Sequence, residues 1–329
     1  MARRWSRPVL ITLVAIGAFV LVLVGVSAVF LSSVAQRFDQ GTEKIVEAFP
    51  DATVRPPEPT GAAASAQNIL LLGTDSRADL GSIDDAAGQR SDTIMVAHIP
   101  ADRHGITVMS IMRDSWVEIS GHGTAKVNAA LSYGGVPLAV QTVESLIGAR
   151  IDHVAIFDFK GFSGLTDAVG GVDIDNPIEF ESYHLRGTTF PQGRLHLDGT
   201  HALAFARERY AFIDGDYTRV RNQQAFIAAL LDKVLSSDTA LNPGTVSSIL
   251  EAITPYLKVD AGFTSGYIAG LALELRDVRR EDISFFTMPT LGTDTSDDGQ
   301  SIVVLDRQRL ADVRAGFARD ALDAAAFGE

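Results

Sequence analysis

The sequence contains no cysteine, which excludes thiol catalysis, disulfide bonding and cysteine-ligated zinc. An exported protein without structural disulfides fits the same absence. Lysine is scarce, with five residues against 23 arginines among 329. Positive charge is short overall: the formal net charge is −13, whereas a nucleic-acid binder normally shows a basic face. Nucleic acid is therefore not an expected partner. The seven histidines form no His-Glu-x-x-His motif, and His196 and His201, five apart, do not share one helical face. Gly161-Phe162-Ser163-Gly164 misses the nucleophile elbow because Leu165 follows where glycine is required. Gly121 to Lys126 lacks the spacing of a P-loop and the hydroxyl residue after its lysine. No internal repeat is visible.

What is present begins with an apolar run. Arg3, Arg4 and Arg7 precede an uncharged stretch from Pro8 to Leu31, and roughly 20 apolar residues suffice to cross a bilayer. Arginines on the leading side favour a cytoplasmic N-terminus and place everything after Leu31 outside. Val26-Ser27-Ala28 resembles a signal-peptide cleavage site, but the run exceeds the roughly 7–15 residues of a signal-peptide core. The expectation is a retained single-pass anchor over 8–31 after a cytoplasmic segment 1–7. Residues 32–66 read as a juxtamembrane helix followed by a Pro- and Ala-rich linker containing Pro56, Pro57 and Pro59. The globular domain is expected over 67–320, with a tail at 321–329.

Within that domain, strand-like runs at Ile69–Leu72, Thr93–Ile99, Ile106–Ile111, Val154–Phe159, Ile283–Thr287 and Ile302–Leu305 alternate with helical patterns. One predicted helix spans Val136–Ile147, with Pro137 near its start and Gly148 just past its end. Asp198 is placed to cap Gly199–Ala206, and Asp306 to cap a helix reaching Ala318. Gln223–Leu235 carries apolar residues at helical spacing. Such alternation predicts a three-layer α/β/α fold about a central, mainly mixed sheet, preceded by one transmembrane helix.

Against the acidic background, Phe205 to Gln224 carries Arg207, Arg209, Arg219 and Arg221. Guanidinium groups grip phosphate oxygens in a planar, bidentate way, so the run asks for an anion; a solvated helix face is the plainer alternative. Arg207 and Arg209, two apart, share a face only in extended chain. Arg219, Asn222 and Gln223 line one face at a helix start, where backbone N–H groups also favour an anion. Arg221 points elsewhere and reads as solvated. Asp75 follows the first strand within Leu72-Gly73-Thr74-Asp75-Ser76-Arg77, where α/β folds place ligands, although a simple turn accounts for it as well. Arg90-Ser91-Asp92-Thr93 precedes the second strand. Asp75 and Asp92 could meet across adjacent loops, an arrangement suited to Mg²⁺, which accepts one or two carboxylates plus phosphate oxygens. Arg113-Asp114 ends the third strand as an ion pair or a site pair. Lys126 stands out because lysine is rare, though an exposed lysine on a short helix explains it equally.

Taken together, LLGTDSR (71–77), RSDTIM (90–95), SIMRD (110–114), KVNAALSYGG (126–135), FDFKGFSGLTDAVGGVDI (157–174), LDGTHALAFARER (197–209) and GDYTRVRNQQ (215–224) resemble the LytR-CpsA-Psr family of membrane-anchored cell-wall enzymes. The ordered set covers about Asn68 to Leu235 strongly and the chain to about Phe317 more loosely. The resemblance implies an Mg²⁺-assisted phosphotransferase, with Mn²⁺ as a possible substitute. It would move a glycopolymer from a polyprenyl-pyrophosphate carrier to a muramic acid hydroxyl of peptidoglycan, as a phosphodiester. Carried over by motif, Asp75 and Asp92 would hold the metal. Arg113, Arg207, Arg209 and Arg219 would bind the pyrophosphate, helped by Gln223 and by Arg77, Arg90 and Lys126. The lipid would lie in an apolar channel between sheet and helices, and Asp75 or Asp92 would serve as general base. A pyrophosphate hydrolase and a non-catalytic, membrane-tethered binder of lipid-linked precursors are the alternatives. Two departures stand out: Asn222 where many members carry arginine, with Arg221 one place earlier, and Met112 where proline is common.

Overall fold

Alternation within the apolar runs sets the architecture. Leu70 and Leu72 pack on one face of a sheet and Leu71 on the other, and Ile94 and Val96 oppose Met95 in the same way. Strands apolar on both faces must be covered on both faces. The structure, a computed structural model, describes residues 32–74, 91–236 and 242–327. The expected anchor at 8–31 and the segment bearing Asp75, Arg77 and Arg90 lie outside the described residues. Among the described residues no helix is long and apolar enough to cross a membrane.

The strands are β1 Glu43–Ile45, β2 Gln67–Thr74, β3 Ser91–Ile99, β4 Ile106–Ile111, β5 Trp116–Ile119, β6 Gly123–Lys126, β7 His153–Asp158, β8 Val172–Asn176, β9 Phe180–Glu181, β10 Thr189–Phe190, β11 Gly193–Leu197, β12 Leu257–Asp260, β13 Ile283–Thr287, β14 Thr290–Thr295 and β15 Ser301–Leu305. The helices are α1 (32–41), α2 Ala129–Ile147, α3 Phe159–Ala168, α4 Gly199–Arg207, α5 Asp216–Val234, α6 Pro243–Ile253, α7 Ser265–Glu274 and α8 Arg307–Arg319. Seven strands form the central sheet in the order β1-β12-β7-β2-β3-β4-β13. It is mixed: β2 runs parallel to β7 and antiparallel to β3, while β4 is antiparallel to β3 and parallel to β13. Val136, Val140, Val143 and Ile147 of α2 cover one face together with Leu310, Val313 and Phe317 of α8. Phe162 of α3, Ile227 and Leu231 of α5, Leu250 and Ile253 of α6 and Ile268 of α7 cover the other. The expected three layers are present. A second apolar cluster joins α4 and α5 to the small hairpins β8–β11 and β9–β10.

Local chemistry accounts for the ends of the helices. Asp198 Oδ1 accepts from His201 N at 2.9 Å, and Asp306 Oδ1 accepts from Gln308 N at 3.0 Å and Arg309 N at 3.1 Å. Gly148 closes α2 at φ 68°. That helix starts earlier than its sequence pattern predicts, because it bends at Gly134–Gly135 ahead of Pro137 and continues back to Ala129.

The reading of 32–66 as juxtamembrane helix and linker needs correction. Only α1 is α-helical there, with short 3-10 turns at Ala52–Val54 and Gly61–Ser65. β1 pairs in parallel with β12 at the edge of the central sheet, matching Glu43 with Lys258 and Ile45 with Asp260. Phe38, Ile45 and Ala48 are buried. The Pro-rich part is held by Arg55, whose Nε donates to Glu144 Oε1 at 2.9 Å, and Glu144 is itself buried. A three-residue strand is too short to show a period, so its pairing is invisible in sequence. The tail also packs, through Phe327 stacked 5.1 Å from Phe286 and Arg309 Nη2 donating to Ala326 O at 2.9 Å.

A candidate anion-binding site

The sheet topology brings the carboxyl ends of β2, β4 and β7 to the same end as the start of β3. Thr74 aligns with Ser91 and with Asp158, and Ile94 with Ile111. Approach there is close: a Cβ on Gly73 would sit 2.9 Å from both the Phe157 ring and Thr93 Cβ, so glycine alone fits. Asp92 enters the site at the head of β3. Arg113 follows β4 in a turn closed by Ser115 N donating to Met112 O at 2.9 Å. From the other side comes the first turn of α5, entered through Gly215 at φ 51°.

Arg113 is the hub. Its Nη1 donates to Asp92 Oδ1, its Nε donates to Asp216 Oδ2 at 3.2 Å, and the same Nε lies 3.6 Å from Asp114 Oδ2. Lys126, at the end of β6, reaches Asp114 Oδ1 at 3.1 Å. Asp216 also receives Arg219 Nη2 at 3.1 Å and Arg209 Nη1 at 3.5 Å. Burial alone would lower the Arg113 guanidinium, but Asp216, Asp92 and Asp114 outweigh it and hold the group above its ordinary value. Burial likewise works to raise the Asp216 carboxyl, and Arg219, Arg113 and Arg209 pull it below the usual range. Arg219 is the strained member. Burial pushes it down, Arg113 adds repulsion, and Asp216 only partly offsets both. Its buried Nε has no hydrogen-bond partner among the described residues.

Arg207 and Gln223 belong to an adjoining apolar crevice lined by Phe159, Phe162, Leu203, Phe226 and Ile227. The Arg207 guanidinium lies 5.0 Å over the Phe159 ring, and that of Arg209 lies 4.5 Å over the Tyr210 ring. The structure therefore joins Asp92, Arg113, Lys126, Arg209 and Arg219 in one network, with Arg207 and Gln223 beside it. Asn222 is turned away, buried and donating to Phe205 O at 3.3 Å. Arg221 pairs at the surface with Asp214. The shifted arginine thus stays outside the network. Met112 is buried with Val220 and Val303, so it fills the core beneath the site.

Sequence reasoning missed two carboxylates. Asp216 was read only as part of a helix start, although it is the anion that three arginines share. Glu208 is wholly buried between Arg207 and Arg209. Its carboxylate accepts from Ser182 Oγ at 3.2 Å, Tyr183 N at 2.7 Å, and the backbone N–H groups of Arg209 and Tyr210 at 3.0 Å each. An acid flanked by arginines just past an apolar helix end was the available signal.

Residues 29–318 match the LytR_cpsA_psr family. The chain belongs to the LytR-CpsA-Psr family. Among its relatives in that family is cell wall biosynthesis protein LcpA of Corynebacterium glutamicum, 32% identical over 288 residues, which covers 74% of this chain and 54% of the relative. The chain thus spans about half the length of that LytR-CpsA-Psr protein. Another is polyisoprenyl-teichoic acid–peptidoglycan teichoic acid transferase TagU of Enterococcus faecalis, 33% identical over 253 residues, with 75% of this chain and 77% of the relative covered. The crystal structure of B. subtilis TagV superposes with a TM-score of 0.65 at 25% identity, covering 79% of this chain and 99% of that one.

Proposed function

We propose that this protein transfers a glycopolymer from a polyprenyl-pyrophosphate carrier to peptidoglycan, leaving a phosphodiester link. The observation that carries the reading is the network of Arg113, Arg209, Arg219 and Lys126 in a strongly acidic chain, with an apolar crevice at its edge. Such a network suits a pyrophosphate diester, and the lining of the crevice gives its prenyl chain an apolar surface to meet. The name of the Enterococcus relative points the same way.

In the reaction an acceptor hydroxyl oxygen attacks the sugar-bearing phosphorus. The bond from that phosphorus to the bridging oxygen breaks, and polyprenyl phosphate leaves. Asp75 or Asp92, whichever does not hold the metal, would take the hydroxyl proton. Arg113, Arg209 and Arg219 stabilise the charge that develops on the phosphoryl oxygens; phosphoryl transfer asks for positioning and electrostatics above all. Arg207, Gln223 and Lys126 orient the ends of the diester.

Mg²⁺ fits as a guest shared with the substrate. Among the described residues no cluster of three or more His, Cys, Asp or Glu could hold a metal, and Arg113 occupies only Oδ1 of Asp92. As the resemblance implies, Asp92 and Asp75 would hold or orient the ion together with phosphate oxygens. When bound, the ion draws negative charge from the pyrophosphate. The reading also takes 8–31 as the anchor that keeps the domain beside its lipid substrate, outside the cell.

Full-length protein in membranes, supplied with lipid-linked glycopolymer, peptidoglycan and Mg²⁺, should yield linked polymer. Arg113→Ala should lower the rate about 100-fold or more, the scale of losing a charge-stabilising group. Arg113→Lys should recover little of it, since lysine lacks the planar fork. Wild-type rates in Arg113→Ala would sink the site assignment. Equal release of polyprenyl phosphate without peptidoglycan would mark the protein as a hydrolase.

A further inference from the structure

Three exposed rings stand beside the arginine network. Tyr183 and Tyr210 are 58% and 57% exposed. Their ring centroids are nevertheless 4.5 Å apart, with His184 5.8 Å from Tyr183 and 6.2 Å from Tyr210. Single exposed aromatics are ordinary, but a gathered set marks a contact surface. This one is also firmly mounted. The buried Glu208 carboxylate bonds the backbone N–H of both Tyr183 and Tyr210, and His184 Nε2 lies 3.1 Å from Arg207 O. The patch is continuous with the anion site, because Arg209 Nη2 donates to Tyr210 Oη at 2.6 Å and Arg209 Nη1 reaches Asp216.

Flat rings with polar rims present an apolar face and hydrogen-bonding edges together. A pyranose has the matching form, with C–H groups on its faces and hydroxyls around its rim. We infer that Tyr183, His184 and Tyr210 form a platform for the sugar joined directly to the donor's pyrophosphate. The inference rests on the pyrophosphate reading above. The donor is favoured over the acceptor because its first sugar is covalently bound to the phosphate that Arg209 faces. Arg207 at the crevice and Arg209 at the rings then mark the lipid side and the sugar side of one diester.

The test compares two probes on full-length protein in nanodiscs: a C10 prenyl pyrophosphate, and the same lipid carrying N-acetylglucosamine on its outer phosphate. Wild type should bind the sugar-bearing probe more tightly. Tyr183→Ala, which removes no group bonded to Arg209, should weaken that probe about three- to tenfold and leave the bare one unchanged. Tyr210→Phe, which keeps the ring, should retain the sugar preference. Equal affinity of wild type for both probes overturns the platform, as does an equal loss of both in Tyr183→Ala. Quenching of tyrosine fluorescence by doxyl-labelled nanodisc lipid, present in wild type and lost in Tyr183→Ala, would make the patch a membrane contact and overturn it too. Binding of the bare probe, abolished by Arg113→Ala, reports on the pyrophosphate reading separately; if neither probe binds wild type, both readings fall together.

Discussion

Glu208 shows how a residue that need not touch substrate can hold a site in shape. It takes four donors while wholly buried, and those donors belong to the two segments that carry Arg207, Arg209 and the exposed rings. Removing the acceptor strands the donors, at about 3 kcal/mol when partial solvation is allowed for. Glu208→Ala should therefore lower the unfolding free energy by that amount, read as a fall in the urea midpoint, and abolish transfer along with it. Unchanged stability would show that water replaces the carboxylate without cost. Arg113, Arg219 and Asp92 stood out in their motifs, and the folded chain brings them into one network through Arg113 and Asp216. Asp216 did not stand out, because its role depends on three arginines that meet only in the folded chain.

At the scale of elements, β3 is tied to the end of α8 through a buried histidine. His98 Nδ1 contacts Asn68 Oδ1 at 2.8 Å. Its Nε2 lies 3.0 Å from Asp320 Oδ1, with both side chains buried. Burial holds the His98 pKa below its ordinary value, with Asp320 opposing. The sign follows from linkage: below about pH 6.5 the unfolded chain takes up the proton before the folded one, so stability falls as pH drops. The melting temperature should decline from pH 7 to pH 5, and decline less in His98→Gln. The depressed carboxylates titrate below about pH 4 and stay out of that window. Identical slopes in the two proteins would remove His98 from the account. Most elements were legible from apolar period and caps; β4 and β13 fall where the runs predict, at Ile106–Ile111 and Ile283–Thr287. β1 was not legible, since three residues carry no period and its partner lies more than 200 positions away.

For the whole molecule, the sheet begins before the point where sequence composition places the domain. Removing residues 32–66 would uncover β12 as a sheet edge and expose the contacts of Phe38 and Ile45. Full burial of two such side chains is worth about 3–6 kcal/mol. A fragment covering 67–329 should thus melt about 6 °C or more below one covering 32–329, measured by thermal denaturation at equal concentration. Equal melting temperatures would restore the linker reading. A lower one would mean that residues 32–66 are joined to the rest of the domain through the sheet itself.

The sequence by itself determined the alternating elements, the apolar run, the acidic balance and the ordered motifs, because each is written in local order: period, cap and spacing. It identified the arginines as a group. Only the tertiary structure decided which of them share an anion, that Arg221 and Asn222 stand aside, and that Glu208 and the tyrosines frame the site. Those outcomes depend on contacts between segments far apart in the chain, where burial removes water and makes each unpaired charge or donor costly. Pattern along a chain carries no record of that cost.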